Sequence, residues 1–495
     1  MRLSDTLDPA VAAAIAAHRF GLGEPDLAIV APDARRWLLG QIGPAETQRG
    51  AALPGLTEAL ARQAAARPAD ARAAKAELQA QVQADMRARL LTAATSRRPF
   101  AERLALFWCN HFTVSLGKAS SQGLVGAFER EAIRPRIAGR LVDLLQAAVT
   151  HPAMLRYLDN HLSAGPQSAL VQHLRRRSQA AATAGQPAEN PPRLTGLNEN
   201  LAREVLELHT LGVTGGGGVY GPWGGYSQAD VTSLAAVLTG WRGPTPATSA
   251  TPAAAASQAP AELASGPDKL SGAFLNAPPD FDPAWHQPGP KTVLGRVYPA
   301  GPQALPAVLA DLARQPVMHR HVATQLARHF VADQPAPALV ARLADSLQAT
   351  DGDLTALYQV LVAAPEAWAP VPDKLKTPEA FVISSARLLG LGERLTQRAA
   401  DAGLAALGQR PQSASSPAGW SDLAADWLGP EAVWQRMEWA VQWAERLGAN
   451  VDARALARSS LGPLLSEATR QQIERAADGP QALTLLLMAP EFQRR

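Results

Sequence analysis

The most sharply two-faced string in the chain is Asn198-Glu199-Asn200-Leu201-Ala202-Arg203-Glu204-Val205-Leu206-Glu207-Leu208-His209-Thr210-Leu211. At a helical advance of about 100° per residue, Asn200, Arg203, Glu204 and Glu207 fall on one face, while Leu201, Val205, Leu208 and His209 fall on the other. The spacing predicts an amphipathic helix with an acid-rich stripe, followed by a glycine-rich turn and a second helix over residues 231–241. Residues 100–112 are apolar on nearly all sides, which predicts a buried helix with Asn110 and His111 in the core at its end. Residues 56–89, rich in Ala, Gln and Arg, predict one long surface helix. In residues 321–330, His321, Gln325 and Arg328 share a face opposite Val322, Leu326 and Phe330. Thr377 before Pro378 reads as an N-cap with proline in the first helical position, opening a helix through Leu389.

These patterns, with abundant Ala and Leu and few β-branched runs, predict a mostly α fold with at most a few short strands. The chain of 495 residues, 47% of them hydrophobic, is read as one large helical body over residues 1–495. Residues 178–192 and 243–267 are Ala, Pro, Ser and Thr rich with little to form a core, so both are expected to be flexible insertions. The five tryptophans Trp420, Trp427, Trp434, Trp439 and Trp443 are expected to pack on the core.

Charge and cysteine content remove several function classes. The 47 basic and 44 acidic residues are spread along the chain, without the clustered patch of a nucleic-acid binder. A single cysteine, Cys109, excludes an intramolecular disulfide and any multi-cysteine zinc site, and is read as a small buried hydrophobe. Residues 1–17 carry Asp5 and Asp8 and lack a basic region before an apolar core, so the expectation is a soluble cytoplasmic protein without a signal peptide. There is no His-Glu-x-x-His, Gly-x-Ser-x-Gly or Cys-x-x-Cys string. Gly216, Gly218 and Gly221 match a dinucleotide fingerprint only in spacing, since no strand precedes them.

The acid-rich stripe is the leading candidate site. Glu204 and Glu207, one turn apart, would offer oxygens to a divalent cation with Asn200 as a neutral third ligand, or act as a catalytic acid and base. The competing reading is a solvated face on which Arg203 and Glu207 form an i,i+4 pair. His209, on the apolar face, is read as a hydrogen-bonded core histidine. His111, Asp159, His286 and Lys291 are the distant residues that would complete a ligand site around Glu204, Glu207, Asn200 and Arg203. A non-enzymatic scaffold, with the same residues as structural networks, is the alternative. Lys374 and Lys376, just before a helix start, are read as surface lysines.

Six ordered strings carry a family resemblance: His18-Arg19-Phe20-Gly21-Leu22-Gly23, Phe107-Trp108-Cys109-Asn110-His111-Phe112, Met154-Leu155-Arg156-Tyr157-Leu158-Asp159-Asn160, the acid-rich segment with Leu238-Thr239-Gly240-Trp241, Lys291-Thr292-Val293-Leu294-Gly295, and Lys376-Thr377-Pro378-Glu379. On these strings the chain resembles the bacterial "domain of unknown function 1800" family. The resemblance makes the acid-rich segment the most recognisable motif. It also implies a His-Asp pair before the glycine and lysine of residues 285–291, where this chain has His286-Gln287. It further implies a companion protein of the 1501 family, whose members frequently carry twin-arginine leaders, and hence export together with that partner.

Overall fold

A computed structural model describes residues 7–50, 53–65, 71–184, 196–212, 225–243, 280–394 and 402–495. Helix starts follow local chemistry. The side chains of Asp8, Asp33, Ser168, Ser227, Asp353, Thr377, Asp452, Ser466 and Asp478 each accept a hydrogen bond from a backbone N–H of the first turn. Ser227 and Asp230 form a full capping box. Among the described residues the only sheet is a two-stranded antiparallel hairpin, Lys291–Val293 with Arg296–Tyr298. The fold is therefore mostly α, as the periodicity requires, and no described helix is long and apolar enough to cross a membrane.

One contiguous apolar cluster runs from Ala13 to Phe492. The Pro99–His111 helix crosses its centre with Phe100, Leu104 and Trp108 almost fully enclosed, as its all-round apolar pattern predicts. Trp108 Nε1 donates to the Tyr358 hydroxyl at 2.6 Å, which donates to the Ile137 carbonyl at 2.5 Å, so a polar thread passes through the core with each group satisfied. Arg89 ties three segments together. It grips Glu379 through two nitrogens at 2.7 and 3.1 Å and Glu129 at 2.5 Å, all three side chains being buried. This geometry joins the Ala71–Thr95 helix to the start of the Pro378–Leu388 helix.

Several expectations change. The described parts of residues 56–89 are helical, over Leu56–Ala65 and Ala71–Thr95, but not all surface: the second stretch buries Met86, Leu90 and Ala93 because its C-terminal half carries the apolar residues, and residues 66–70 lie outside the described residues. The Ala169–Thr183 helix extends into the first expected insertion, so residues 178–183 are helical; residues 185–192, and all of 244–267 in the second, lie outside the described residues. Trp434 is 58% exposed while Trp427 and Trp439 are buried, so the tryptophans do not act as one packing set. Cys109 is half-buried beside the Arg89 and Glu129 pair. Lys374 and Lys376 are both enclosed, for a backbone reason: Lys374 pairs with Arg495 through both its N–H and its C=O, and Lys376 N–H donates to the Gln493 carbonyl, pulling the segment against residues 493–495.

Candidate functional site

The acid-rich motif is a helix that changes its winding. Asn200–Glu204 is α-helical, and Val205–Thr210 continues as a π turn in which Leu211 N–H reaches the Leu206 carbonyl, five residues back, at 2.9 Å. Thr210 Oγ1 also donates to the Val205 carbonyl, five residues back, at 2.6 Å. Such single-turn π insertions occur frequently at functional sites.

On the polar side, Arg203 lies between Glu199 at 3.4 Å and Glu207 at 3.5 Å. Arg203 is 41% exposed, so the i,i+4 pair with Glu207 is of the weak surface kind. Glu199 also accepts from Gln228 and Thr232, both at 2.7 Å, which holds the motif against the Gln228–Leu238 helix. Glu204 is different: it is half-buried and forms no ion pair among the described residues. Burial first, and then the neighbouring Glu207 carboxylate, push the Glu204 carboxyl up from the usual range, against the pull of Arg203. The Glu204 charge in turn helps burial to push Tyr157 up to about 12. The Tyr226 hydroxyl is hydrogen-bonded to Glu207, which with burial also pushes it up. Two carboxyls and two phenols thus face one another.

The apolar side holds three imidazoles. His321 Nε2 meets the Leu208 carbonyl at 3.0 Å, and His111 Nε2 meets the His209 carbonyl at 3.3 Å. Both rings thus cap carbonyls that the π turn leaves open, which places His111 behind the motif rather than among its carboxylates. His209 is fully enclosed against the ring of Phe112, and neither of its nitrogens has a partner among the described residues. It is a core histidine, but not the hydrogen-bonded one expected. Its ring is neutral because burial drives its pKa down to about 3.

The other expected site residues stand in separate arrangements, and none forms a hydrogen bond or ion pair with Glu204 or Glu207 among the described residues. Asp159, in a left-handed conformation at φ 58°, pairs with Lys118. His286 and Lys291 do meet: Lys291 Nζ lies 2.9 Å from His286 Nε2, which also accepts from Gly301 N–H at 3.0 Å, while His286 Nδ1 faces the Thr239 carbonyl at 2.7 Å. That arrangement pins the hairpin's approach loop to Thr239. Asn200 is exposed. No group of three or more His, Cys, Asp or Glu is arranged to hold a metal ion among the described residues.

A second polar centre escaped the sequence reading. His329 Nδ1 donates to both oxygens of Asp422 at 3.0 and 2.9 Å, and Arg103 Nε approaches His329 Nε2 at 3.4 Å. Burial holds the His329 pKa down to about 4, so the ring is neutral with its proton on Nδ1. Asp422 and Arg495 complete the centre from segments more than 300 residues away from Arg103 in sequence. A signal was available in Arg103, which with Glu102 places charge inside the largely apolar string over residues 100–112.

Comparison with curated proteins and with solved structures found no match. The sequence pattern of a family described as "Protein of unknown function (DUF1800)" matches residues 15–494. That span takes in all six strings, the acid-rich motif and the Arg103, His329 and Asp422 members of the second centre, and the chain belongs to this family.

Proposed function

We propose that the protein binds a cationic ligand at its acid-rich face, a divalent metal ion in the simplest case, with Glu204 and Glu207 as the carboxylates. The observation that carries this reading is Glu204: half-buried, beside a second carboxylate and without an ion pair, it is held in a state that a cation would relieve. Two carboxylates suffice for an ion such as magnesium, which keeps several of its waters. Tyr226 and Asn200 then orient the shell.

A second reading has its own support. Arg203 spans Glu199 and Glu207, and Glu199 reaches Gln228 and Thr232, so the face also functions as a brace between two helices. Thermal unfolding with magnesium, calcium or manganese, against potassium at equal ionic strength, separates the two. The binding reading expects a divalent-specific rise in Tm that Glu204→Gln and Glu207→Gln both abolish. Because Arg203 and Glu207 are partly exposed, Glu207→Gln should itself cost under about 1 kcal/mol. No divalent-specific shift in the wild type leaves the brace as the function of this face.

A further inference from the structure

Where Lys374 and Lys376 pack against residues 493–495, the protein encloses more positive charge than it matches. Arg103, Lys374, Lys376 and Arg495 are all buried there. Of the nearby carboxylates, Asp333 takes Lys374, Asp422 takes His329 with Arg495 at 3.9 Å, and Glu379 takes Arg89. Arg103 and Lys376 form no ion pair among the described residues. The Arg103 nitrogens point to the Gly21 carbonyl at 3.0 Å and the His329 carbonyl at 3.2 Å, and Lys376 Nζ sits 4.0 Å over the Phe492 ring with no hydrogen-bond partner. Burial and mutual repulsion with Arg495 drive both groups well below their ordinary pKa. Buried cations without counter-charge are costly, and such a cost persists in a fold where something offsets it.

A cleft of about 50 Å³ opens at this cluster, lined among others by Arg103, Asn110, His329, Trp420, Asp422 and Arg495. Two of the residues that line it carry a buried donor with no partner among the described residues: Arg495 at Nε, on a side chain 2% exposed, and Trp420 at Nε1. The Trp420 backbone is fixed, because its N–H and carbonyl both engage the Asn110 amide at 2.8 Å. The preceding Gly419, at φ 77°, comes so close that an added Cβ would lie 2.6 Å from the Asn110 carbonyl oxygen. The loop is thus built to bring Trp420 against Asn110. The carboxylates in the wall are already engaged, Asp422 by His329 and Glu379 by two nitrogens of Arg89.

We infer that this cleft is a binding site for a small oxyanion, the phosphate, sulfate or carboxylate group of a ligand, received by Arg495 Nε and Trp420 Nε1 in the field of Arg103 and Lys376. At a water-sized allowance of about 10–15 Å³ per occupant, the cleft admits a head group and no more. Planar guanidinium and indole N–H donors match oxyanion oxygens, and a dry, cation-rich pocket favours a charged acceptor over water. The site is independent of the acid-rich face, which attracts the opposite charge.

The test is binding of inorganic phosphate, sulfate and acetate to the full chain, read by calorimetry and thermal unfolding, with chloride at matched ionic strength as control. The expected result is saturable binding of at least one oxyanion and a Tm rise that chloride does not give; the tetrahedral and planar probes identify which group fits. Arg495→Met should weaken that binding at least tenfold. Trp420→Phe, which deletes one N–H without changing charge, should weaken it severalfold and covers the case in which Arg495→Met fails to fold. Shifts no larger than those with chloride, or oxyanion binding unchanged in Trp420→Phe, would overturn the inference.

Discussion

Acidification from about pH 7 to about pH 5.5 should unfold or nearly unfold this protein, because its histidines are buried uncharged. Burial holds His18, His151 and His209 down to about 3 and His286 and His329 down to about 4. In the unfolded chain each titrates near 6.5. A folded pKa below the unfolded one means that the unfolded chain binds more protons between the two values. The stability is therefore complete above about 6.5 and is lost as the pH falls toward the folded pKa. Over this interval each histidine accounts for about 1 kcal/mol, and the five together for about 6 kcal/mol. Asp85, which burial pushes up to about 6, works in the other sense and returns about 1 kcal/mol. A net loss of about 5 kcal/mol is comparable to the whole stability of many domains. Urea unfolding followed by tryptophan fluorescence at three pH values across the interval measures it. His209→Leu supplies the control: it removes a ring with no hydrogen bond to lose among the described residues, so stability at neutral pH should hold or rise, and the loss over the interval should shrink by about 1 kcal/mol. A stability that changes by less than about 1 kcal/mol over the interval would refute the reasoning.

Two further outcomes follow from the core. Arg89→Met strips both Glu129 and Glu379 of their shared cation inside the protein and should cost about 3–5 kcal/mol in urea unfolding, whereas a loss under about 1 kcal/mol would show that water reaches the pair. Tyr358→Phe leaves Trp108 Nε1 and the Ile137 carbonyl without partners and should cost about 2–5 kcal/mol; an unchanged urea midpoint would mean that the core rearranges to satisfy both groups.

The sequence by itself determined the helices, their caps and the membership of the family. Helical periodicity and capping are local: Thr377-Pro378, Ser227 with Asp230, and the apolar string over residues 100–112 each specify a helix start or a buried helix through neighbours within a few positions. The acid-rich stripe was legible for the same reason, down to the Arg203 and Glu207 pair. The π turn inside it was not, because the insertion depends on His111 and His321, from two other helices, capping its carbonyls. The burial of Lys374 and Lys376 was likewise invisible, since a lysine beside a helix start looks solvated until Gln493 and Arg495, more than 100 residues on, pair with its backbone. The His329, Asp422 and Arg495 centre belongs wholly to the tertiary structure. Its members share no spacing, and the low dielectric that gives their charges consequence exists only once the core has closed around them.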